Sequence, residues 1–259
     1  MMTDLPKMPD GYSLVAFDTI GSTNDELKQR AIQANAPEGS VVWALEQTSG
    51  KGRQKRNWES VPGNMYCSVL LRPNCDMAEA AQIGFLPVIA AGEALAGLLG
   101  NAALLRYKWP NDLLLNRKKI SGALLEAGAG QNGLAAWVIV GCGINLAHYP
   151  DDTRFPATSV RHELNQNIEI GDMVSAYVRN LANWYGRWQE EGFEPVRAAW
   201  LTSAHKFDEP LIVESGAETI TGPFRDLDEN GALVIDTDNG PRRIAAGDVY
   251  FTDTTSGEI

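Results

Sequence analysis

The stretch around which this chain is organised reads Gly50-Lys51-Gly52-Arg53-Gln54-Lys55-Arg56-Asn57-Trp58. Four cations fall within six residues of it, although the formal net charge of the chain is −11. Glycine lets backbone N–H groups approach a ligand closely, and arginine offers phosphate or carboxylate a planar fork of donors. The pattern is typical of a loop that holds an anion such as a polyphosphate. The alternative is a solvated basic turn on an acidic surface.

The composition is that of a globular protein, with 259 residues that are 44% hydrophobic and 21% charged. This length allows one large domain, or one domain with a small appendage. The acidic balance argues against general nucleic-acid binding, which needs a basic face. Three cysteines are too few for a disulfide framework, and neither a signal peptide nor an 18-residue apolar run is found. We therefore expect a cytoplasmic protein with no membrane span.

The larger, N-terminal part of the chain mixes strands and helices. Strands are predicted at 12–17, 41–46, 64–71, 104–108, 112–115, 120–126 and 137–146, and helices at 24–34, 79–99, 171–190 and 195–203. Pro87 should kink or split the second helix. Thr23 and Glu26 have the spacing of a capping box at the start of the first.

After His205 the pattern of the sequence changes from long helical segments to short apolar runs separated by turn residues. Short strands are predicted at 210–215, 219–224, 232–236, 242–246 and 249–252, with turn residues between them. Five short strands in so little chain indicate a small β-barrel. We therefore expect two domains, at residues 1–204 and 205–259.

Several catalytic motifs are absent. The sequence contains no P-loop, no G-x-G-x-x-G, no H-E-x-x-H and no G-x-S-x-G, and its three histidines share no metal-ligand spacing. What remains is a pair of cationic loops at 51–56 and 117–119, with Asn111 and Asp112 beside them. Two basic clusters without a catalytic histidine fit nucleotide-phosphate chemistry, in which positioning and charge neutralisation supply most of the catalysis.

Five motifs together resemble the biotin protein ligase family, in family order and over most of the chain, from about residue 12 to 252. They are Gly21 to Asn24, Glu46 to Trp58, Lys108 to Asp112, Lys118 to Gly122 and Gly141 to Leu146. The resemblance implies an α+β (α/β) catalytic domain of the class II tRNA synthetase and biotin ligase type, followed by a small SH3-like β-barrel.

The resemblance also implies a two-step reaction. Biotin and ATP, with Mg²⁺, give biotinyl-5′-AMP and pyrophosphate. The biotinyl group then passes to one lysine of a biotin carboxyl-carrier domain of a carboxylase. A homodimer stays possible, and neither nucleic acid nor a membrane is an expected partner.

Residue roles follow from the resemblance, position by position. Biotin binding is implied for Ser22, Thr23, Asn24, Gln47, Gly50, Lys51, Gly52, Arg53, Lys119, Gly122, Gly141 and Gly143. Nucleotide binding is implied for Arg53, Arg56, Trp58, Lys108, Asn111, Lys119 and Asn145. Catalytic roles are implied for Arg53, Asp112 and Lys119, and no metal ligand is assigned.

The sequence departs from the family pattern in two respects. The usual loop reads G-R-G-R-x-G-R, whereas Lys51 and Lys55 stand here for an arginine and a glycine. Lysine lacks the fork of arginine, so we expect a weaker grip on the adenylate. Some members also carry an N-terminal winged helix and repress transcription. Only about 20 residues precede Ser22, so no such DNA-binding domain is expected here.

Two alternative functions remain open. A lipoate ligase has lysine, aspartate and glycine at similar spacings in this block, although Trp109, Pro110 and Asn111 favour biotin. The other alternative is a non-catalytic biotin or nucleotide sensor, against which the presence of Arg53 and Lys119 argues. A carrier protein is excluded, because the chain has no Met-Lys-Met-like acceptor turn. We further expect the basic loop to act as a lid that is disordered until an anion binds.

Overall fold

The computed structural model describes residues 5–101, 103–130 and 133–251, and a seven-stranded sheet forms its centre. The strands are β1 Ser13–Ile20, β2 Ser40–Gln47, β3 Met65–Leu71, β4 Leu105–Lys108, β5 Asp112–Leu115, β6 Lys118–Ala129 and β7 Ala135–Ile144. Their order across the sheet is β1-β2-β3-β7-β6-β5-β4. β1 and β2 are parallel, and every other neighbouring pair is antiparallel. All seven strands were expected, with ends that differ by no more than three residues.

Helices cover both faces of this sheet. On one face lies α1 Thr23–Gln33, whose Leu27 packs against Val42 of β2. The other helices are α2 Met77–Ala81, α3 Leu86–Leu99, α4 Val160–Leu164, α5 Ile170–Glu191 and α6 Glu194–Thr202, with 3₁₀ turns at Arg53–Lys55 and Gln82–Phe85. The long helices α3 and α5 pack over the opposite face, where Val41 points. Neighbouring residues of a strand point to opposite faces, so β2 contributes to both helix layers.

The apolar stretch Met77–Leu99 has the length and hydropathy of a membrane span, but 67% of its apolar window is buried inside the fold. It is not one helix. A 3₁₀ turn at Gln82–Phe85 separates α2 from α3, and Pro87 occupies the first turn of α3. Proline is tolerated there because the first N–H groups of a helix lack intrahelical partners. The expected split near Pro87 is confirmed.

A second sheet follows the helices. Its strands are β8 Pro210–Ser215, β9 Glu218–Leu227, β10 Leu233–Thr237, β11 Gly240–Ile244 and β12 Asp248–Phe251, in the order β11-β10-β9-β8-β12 and all antiparallel. Five short strands were expected, and Thr252 of the last lies outside the described residues. Within residues 205–251, β11 and β12 do not pair, so the expected barrel is not closed.

The second sheet is joined to the rest of the fold by specific polar contacts as well as by apolar packing. The indole N–H of Trp109 donates to the backbone oxygen of Gly231 at 3.1 Å. Arg197 of α6 pairs with Asp226 of β9 at 2.5 Å and donates to Leu227 O. Trp109 stands between Lys108 and Asn111 in the sequence, so the second sheet is anchored directly to a motif that was expected at the site.

Candidate active site

A cavity of about 440 Å³ opens between the first sheet, the basic loop (residues 50–58) and β12 of the second sheet. Every residue expected at the site contributes to its wall except Gly50. These wall residues are Ser22, Thr23, Asn24, Gln47, Lys51, Gly52, Arg53, Arg56, Trp58, Lys108, Asn111, Asp112, Lys119, Gly122, Gly141, Gly143 and Asn145. The motifs are far apart in the sequence, and the fold brings them to one place.

Gly50 closes the base of the basic loop. Its backbone oxygen accepts from the N–H of Trp58 at 3.0 Å, and a Cβ at this position would overlap Trp58 O and Ser60 Oγ. Glycine is required here by the close approach of the two ends of the loop. Gly50 thus shapes the loop, and its implied contact with the ligand stays a prediction.

The first turn of α1 forms one end of the cavity, and Ser22 is its N-cap, accepting from the N–H of Asp25 at 3.5 Å. The expected capping box on Thr23 is wrong, because Thr23 is already helical and its N–H donates to Oε1 of Gln47 at 2.8 Å. Glu26 pairs instead with Arg30 at 2.6 Å. A side chain from β2 thus satisfies an N–H that a local cap would otherwise satisfy.

Two glycines of β7 leave notches in the floor of the cavity. A Cβ on Gly141 would overlap the side-chain amide of Asn24, and one on Gly143 would overlap the indole of Trp58. Protein side chains thus lie directly on the backbone at both glycines, and the implied contacts of Gly141 and Gly143 with biotin stay predictions. Gly143 lies opposite Gly122 of β6, so the indole rests on a patch without side chains.

The basic loop is folded over the cavity by carboxylates from both sides. Lys51 pairs with Asp25 of α1 at 2.5 Å, and Arg56 makes two contacts of 2.8 Å with Asp248 of β12. Arg53 points inward and donates to Asn111 Oδ1 at 3.3 Å. Burial lowers the pKa of Arg53, although the negative charge of nearby Asp248 acts to raise it. Carboxylates of α1 and β12 thus neutralise cations of the basic loop.

Lys55 has a left-handed backbone, with φ of 62°, at the position where the family has glycine. Glycine adopts this region without steric cost, whereas a lysine must hold its Cβ near a carbonyl oxygen. Lys55 lies outside the cavity wall. Its departure from the family pattern therefore affects the backbone of the loop rather than the charge of the cavity.

A cluster of charges forms the opposite end of the cavity. The carboxylate of Asp112 lies 2.6 Å from Nζ of Lys119 and 3.6 Å from Nζ of Lys108. Burial alone would raise the pKa of Asp112, but the two lysines outweigh burial and hold it below its ordinary value. The carboxylate therefore stays ionised between two ammonium groups.

Lys108 is the more deeply buried of these lysines. Its Nζ lies 3.7 Å from the ring centre of Phe155 and 5.8 Å from that of Phe251, so aromatic faces replace water around it. Burial lowers the pKa of Lys108 to about 8, although Asp112 opposes that shift. Lys119 lies at the cavity surface, 5.5 Å from the ring centre of Trp58.

Two asparagines of the wall also hold the backbone. Asn145 donates to Thr158 O at 3.1 Å, and Asn111 donates to Ala123 O and accepts from Arg53. One of the two amide N–H groups of each asparagine is therefore bonded within the protein. The implied contacts of both residues with a nucleotide stay predictions.

No site residue was expected in the second domain or in the segment before α4. The structure adds Asp248, Val249 and Tyr250 of β12, and Asp152, Thr153, Arg154 and Phe155 of the preceding segment. The guanidinium of Arg154 lies 4.3 Å from the ring centre of Tyr250. No local pattern marks these residues, because β12 reaches the cavity through the docking of the second sheet, and backbone hydrogen bonds with Lys119 hold the segment before α4 there.

Magnesium was expected with ATP. Among the described residues, no group of three histidine, cysteine, aspartate or glutamate side chains could hold a metal ion. The nearest carboxylates, Asp112 and Asp248, are engaged by lysine and arginine. The donors present fit an ion that arrives on the phosphates of its nucleotide rather than one held by a protein cage.

Comparison with known proteins decides the family. A sequence model described as the biotin/lipoate A/B protein ligase family matches residues 16–145, and one for the biotin protein ligase C-terminal domain matches residues 207–252. The chain is 36% identical to the biotin--[acetyl-CoA-carboxylase] ligase of Paracoccus denitrificans over 215 residues, which cover 81% of this chain and 89% of that relative. The chain belongs to the biotin/lipoate A/B protein ligase family.

Further relatives agree with this assignment. The bifunctional ligase/repressor BirA of Bacillus spizizenii is 30% identical over 244 residues, covering 92% of this chain and 74% of that protein. The biotin protein ligase of Aquifex aeolicus, solved in complex with biotin and ATP, superposes with a TM-score of 0.79 at 25% identity, covering 92% of this chain and 97% of that one. The expected family and fold class are confirmed.

Proposed function

We propose that this protein activates biotin with ATP to biotinyl-5′-AMP and transfers the biotinyl group to a lysine of a biotin carboxyl-carrier domain. One observation carries the proposal. In a chain of this family, a polar helix start and a cluster of cations lie at the two ends of a single cavity, with the basic loop folded over both. Biotin likewise has a ureido ring at one end and a carboxylate at the other.

The ureido end of biotin is assigned to Ser22, Thr23, Asn24 and Gln47. These side chains are buried or half-buried and combine donors and acceptors in one small region. A urea group needs both, because its carbonyl accepts and its N–H groups donate. Gly141 of β7 lets the side-chain amide of Asn24 reach the floor of this region.

The carboxylate and the triphosphate are assigned to the cationic end. In the first step a carboxylate oxygen of biotin bonds to the α-phosphorus of ATP, and the bond from that phosphorus to pyrophosphate breaks. Two anions must meet for this to occur, and we assign Arg53 and Lys119 to screen their repulsion. A charge pair at about 4 Å is worth about 4 kcal/mol at an effective dielectric constant near 20. Such an interaction accelerates the step when it strengthens in the transition state.

In the second step the neutral amine of the acceptor lysine attacks the acyl carbon, AMP leaves and the amine loses a proton. We assign Asp112 to receive or orient that proton, because its carboxylate stays ionised and lies 2.6 Å from Lys119. With preformed biotinyl-5′-AMP, Asp112→Asn should slow transfer to the carrier domain. Transfer at the wild-type rate would remove Asp112 from this role.

We place the boundary between the two domains at residues 204 and 205, and we propose a cytoplasmic protein, supported by three buried and unpaired cysteines. We expect no nucleic-acid partner, given the net charge of −11. A homodimer is a further proposal, which light scattering of the purified protein tests directly.

Biotin-dependent release of pyrophosphate from Mg-ATP tests the proposed activation step. Biotin should stimulate release, whereas lipoate at the same concentration should not. Stimulation by lipoate alone would identify a lipoate ligase. Binding of biotin by calorimetry without any release of pyrophosphate would identify the sensor.

A further inference from the structure

A chain of polar side chains runs beneath the first turn of α1 and continues away from the cavity. Nδ2 of Asn24 donates to Oε2 of Glu126 at 2.9 Å. Oγ of the fully buried Ser68 lies 2.6 Å from Oδ1 of Asn24 and 2.7 Å from Oγ1 of Thr23. Neither Ser68 nor Glu126 lines the cavity. Three elements, α1, β3 and β6, are thus linked in one row.

The side chain of Glu126 determines the direction of this row. A carboxylate can only accept, so the NH₂ group of Asn24 must face Glu126 and its oxygen must face Ser68. That oxygen has no hydrogen, and Ser68 has only one. The hydrogen of Ser68 is therefore donated to Asn24 and is not available to Thr23.

Thr23 must consequently donate into the protein. Its hydroxyl has two protein neighbours, Oγ of Ser68 at 2.7 Å and Oε1 of Gln47 at 3.0 Å. Gln47 presents oxygen there because it also accepts the backbone N–H of Thr23 at 2.8 Å. Neither neighbour has a hydrogen to give. Thr23 therefore donates its own hydrogen to one of them, and only its lone pairs face the cavity that it lines.

We propose that Glu126 is a positioning residue that sets the direction of this hydrogen-bond chain, so that Thr23 presents an acceptor to the cavity and selects a ligand that donates an N–H there. The proposal rests on the proposed function, in which the ureido ring of biotin occupies this end of the site. Lys28, whose Nζ lies 3.5 Å from Glu126, adds charge to the outer end of the row.

Without the carboxylate, the row can run the other way. In Glu126→Gln the new side chain can donate to Asn24, whose amide then turns and donates to Ser68. Ser68 would in turn donate to Thr23, which would lose a lone pair and keep only Gln47 as a protein acceptor for its own hydrogen. In the molecules where that hydrogen turns to the cavity instead, the ligand N–H would meet a donor, and affinity would fall.

Calorimetric titration of biotin, without ATP, tests the role of Glu126. We expect Glu126→Gln to weaken biotin binding by up to about tenfold, which is the scale of one hydrogen bond between neutral groups. Ser68→Ala, which interrupts the row at a different residue, should weaken it comparably. The matched control Lys28→Gln removes the outer charge but leaves the carboxylate, and its affinity should stay within about twofold of wild type.

Kinetics and ligand analogues separate positioning from a general structural effect. Glu126→Gln should raise KM for biotin while leaving KM for ATP and the pyrophosphate rate at saturating biotin unchanged. Desthiobiotin keeps both ureido N–H groups, so Glu126→Gln should weaken its binding by the same factor as that of biotin. Two further analogues carry a methyl group on one or the other ureido nitrogen. The analogue that lacks the N–H facing Thr23 should bind wild type and Glu126→Gln with almost the same affinity.

The outcomes distinguish this inference from the proposed function. If wild-type protein binds biotin and Glu126→Gln binds it equally well, the role of Glu126 is overturned and the function stands. Equal losses in Glu126→Gln and Lys28→Gln would also overturn that role, because an ion pair would then account for both. Wild-type protein that binds no biotin would overturn the function, and the inference with it.

Discussion

At the scale of single residues, Asp112 connects the parts of the cationic end. Its carboxylate contacts Lys119 at the cavity surface and Lys108 in the interior. A phosphate or carboxylate that enters the cavity competes with Asp112 for Lys119. Lys119 therefore has an anionic partner whether or not a substrate anion is bound. When Lys119 contacts the substrate, Lys108 still pairs with Asp112.

Lys119→Ala should reduce biotin-dependent pyrophosphate release by about a hundredfold or more, because a charge contact of about 4 kcal/mol is lost near the reacting phosphate. Lys118→Ala is the matched control, since Lys118 pairs with Glu163 at 2.8 Å and lies outside the cavity wall. A loss of tenfold or less in Lys119→Ala, with unchanged thermal unfolding, would contradict the role of Lys119.

The lowered pKa of Lys108, about 8 instead of 10.5, predicts a specific pH dependence. Between these values the folded protein has lost this proton while the unfolded chain still holds it. Because the unfolded state then binds more protons, this group makes the free energy of unfolding rise with pH over that range. Below pH 8 both states are protonated and the contribution is constant. Urea unfolding from pH 7 to 10 should show this slope in wild type and lose it in Lys108→Met.

At the scale of elements, the basic loop is where the sequence was informative about chemistry but not about conformation. The cations and glycines of residues 50–58 predicted an anion site. The carboxylates that hold the loop, Asp25 and Asp248, are not part of any motif. The structure has the loop folded over the cavity, and its disorder without ligand stays a prediction.

Asp248→Asn should loosen the basic loop, because Arg56 loses both carboxylate contacts. We expect trypsin to cleave after Lys51 to Arg56 several times faster than in wild type, since a partly exposed ion pair contributes up to about 1 kcal/mol. Biotinyl-5′-AMP should restore protection by supplying an anion. Glu214→Gln removes the partner of Arg154 on the neighbouring strand and serves as the control. Equal cleavage in wild type and Asp248→Asn would contradict the pairing.

The helix start at Ser22 shows why local rules predicted the elements better than their ends. Thr23 and Glu26 satisfy the capping-box spacing, yet Gln47 binds the N–H of Thr23 and Glu26 pairs with Arg30. A partner 24 residues away is invisible to a rule that reads four residues. Apolar runs bounded by turn residues predicted every strand of the first sheet, and β3, which is buried along its whole length, is such a run.

At the scale of the whole molecule, the cavity depends on how the second sheet docks. The polar motifs predicted most of the wall, since they carry the chemistry and come from the first domain. Asp248 and Tyr250 could not be predicted, because their position depends on contacts such as that of Trp109 with Gly231. Such contacts join residues more than 100 positions apart and leave no local pattern.

Trp109→Phe should lower the free energy of unfolding by about 1 kcal/mol more than its control, because the oxygen of Gly231 loses its donor. Trp43→Phe is that control, since Nε1 of Trp43 is buried with no hydrogen-bond partner among the described residues. Both changes remove the same atoms from a buried indole. Equal losses in urea unfolding would show that the contact between Trp109 and Gly231 adds nothing to docking.

The central claim is that this protein attaches biotin to a lysine of a carrier domain. Intact-mass spectrometry of such a domain tests it most directly. A biotin carboxyl-carrier domain is incubated with the purified protein, Mg-ATP and either biotin or lipoate. We predict that the domain gains the mass of one biotinyl group, only with biotin and ATP together, and that changing its acceptor lysine to arginine abolishes the gain. A lipoyl adduct, or no adduct while biotin is bound, would contradict the account.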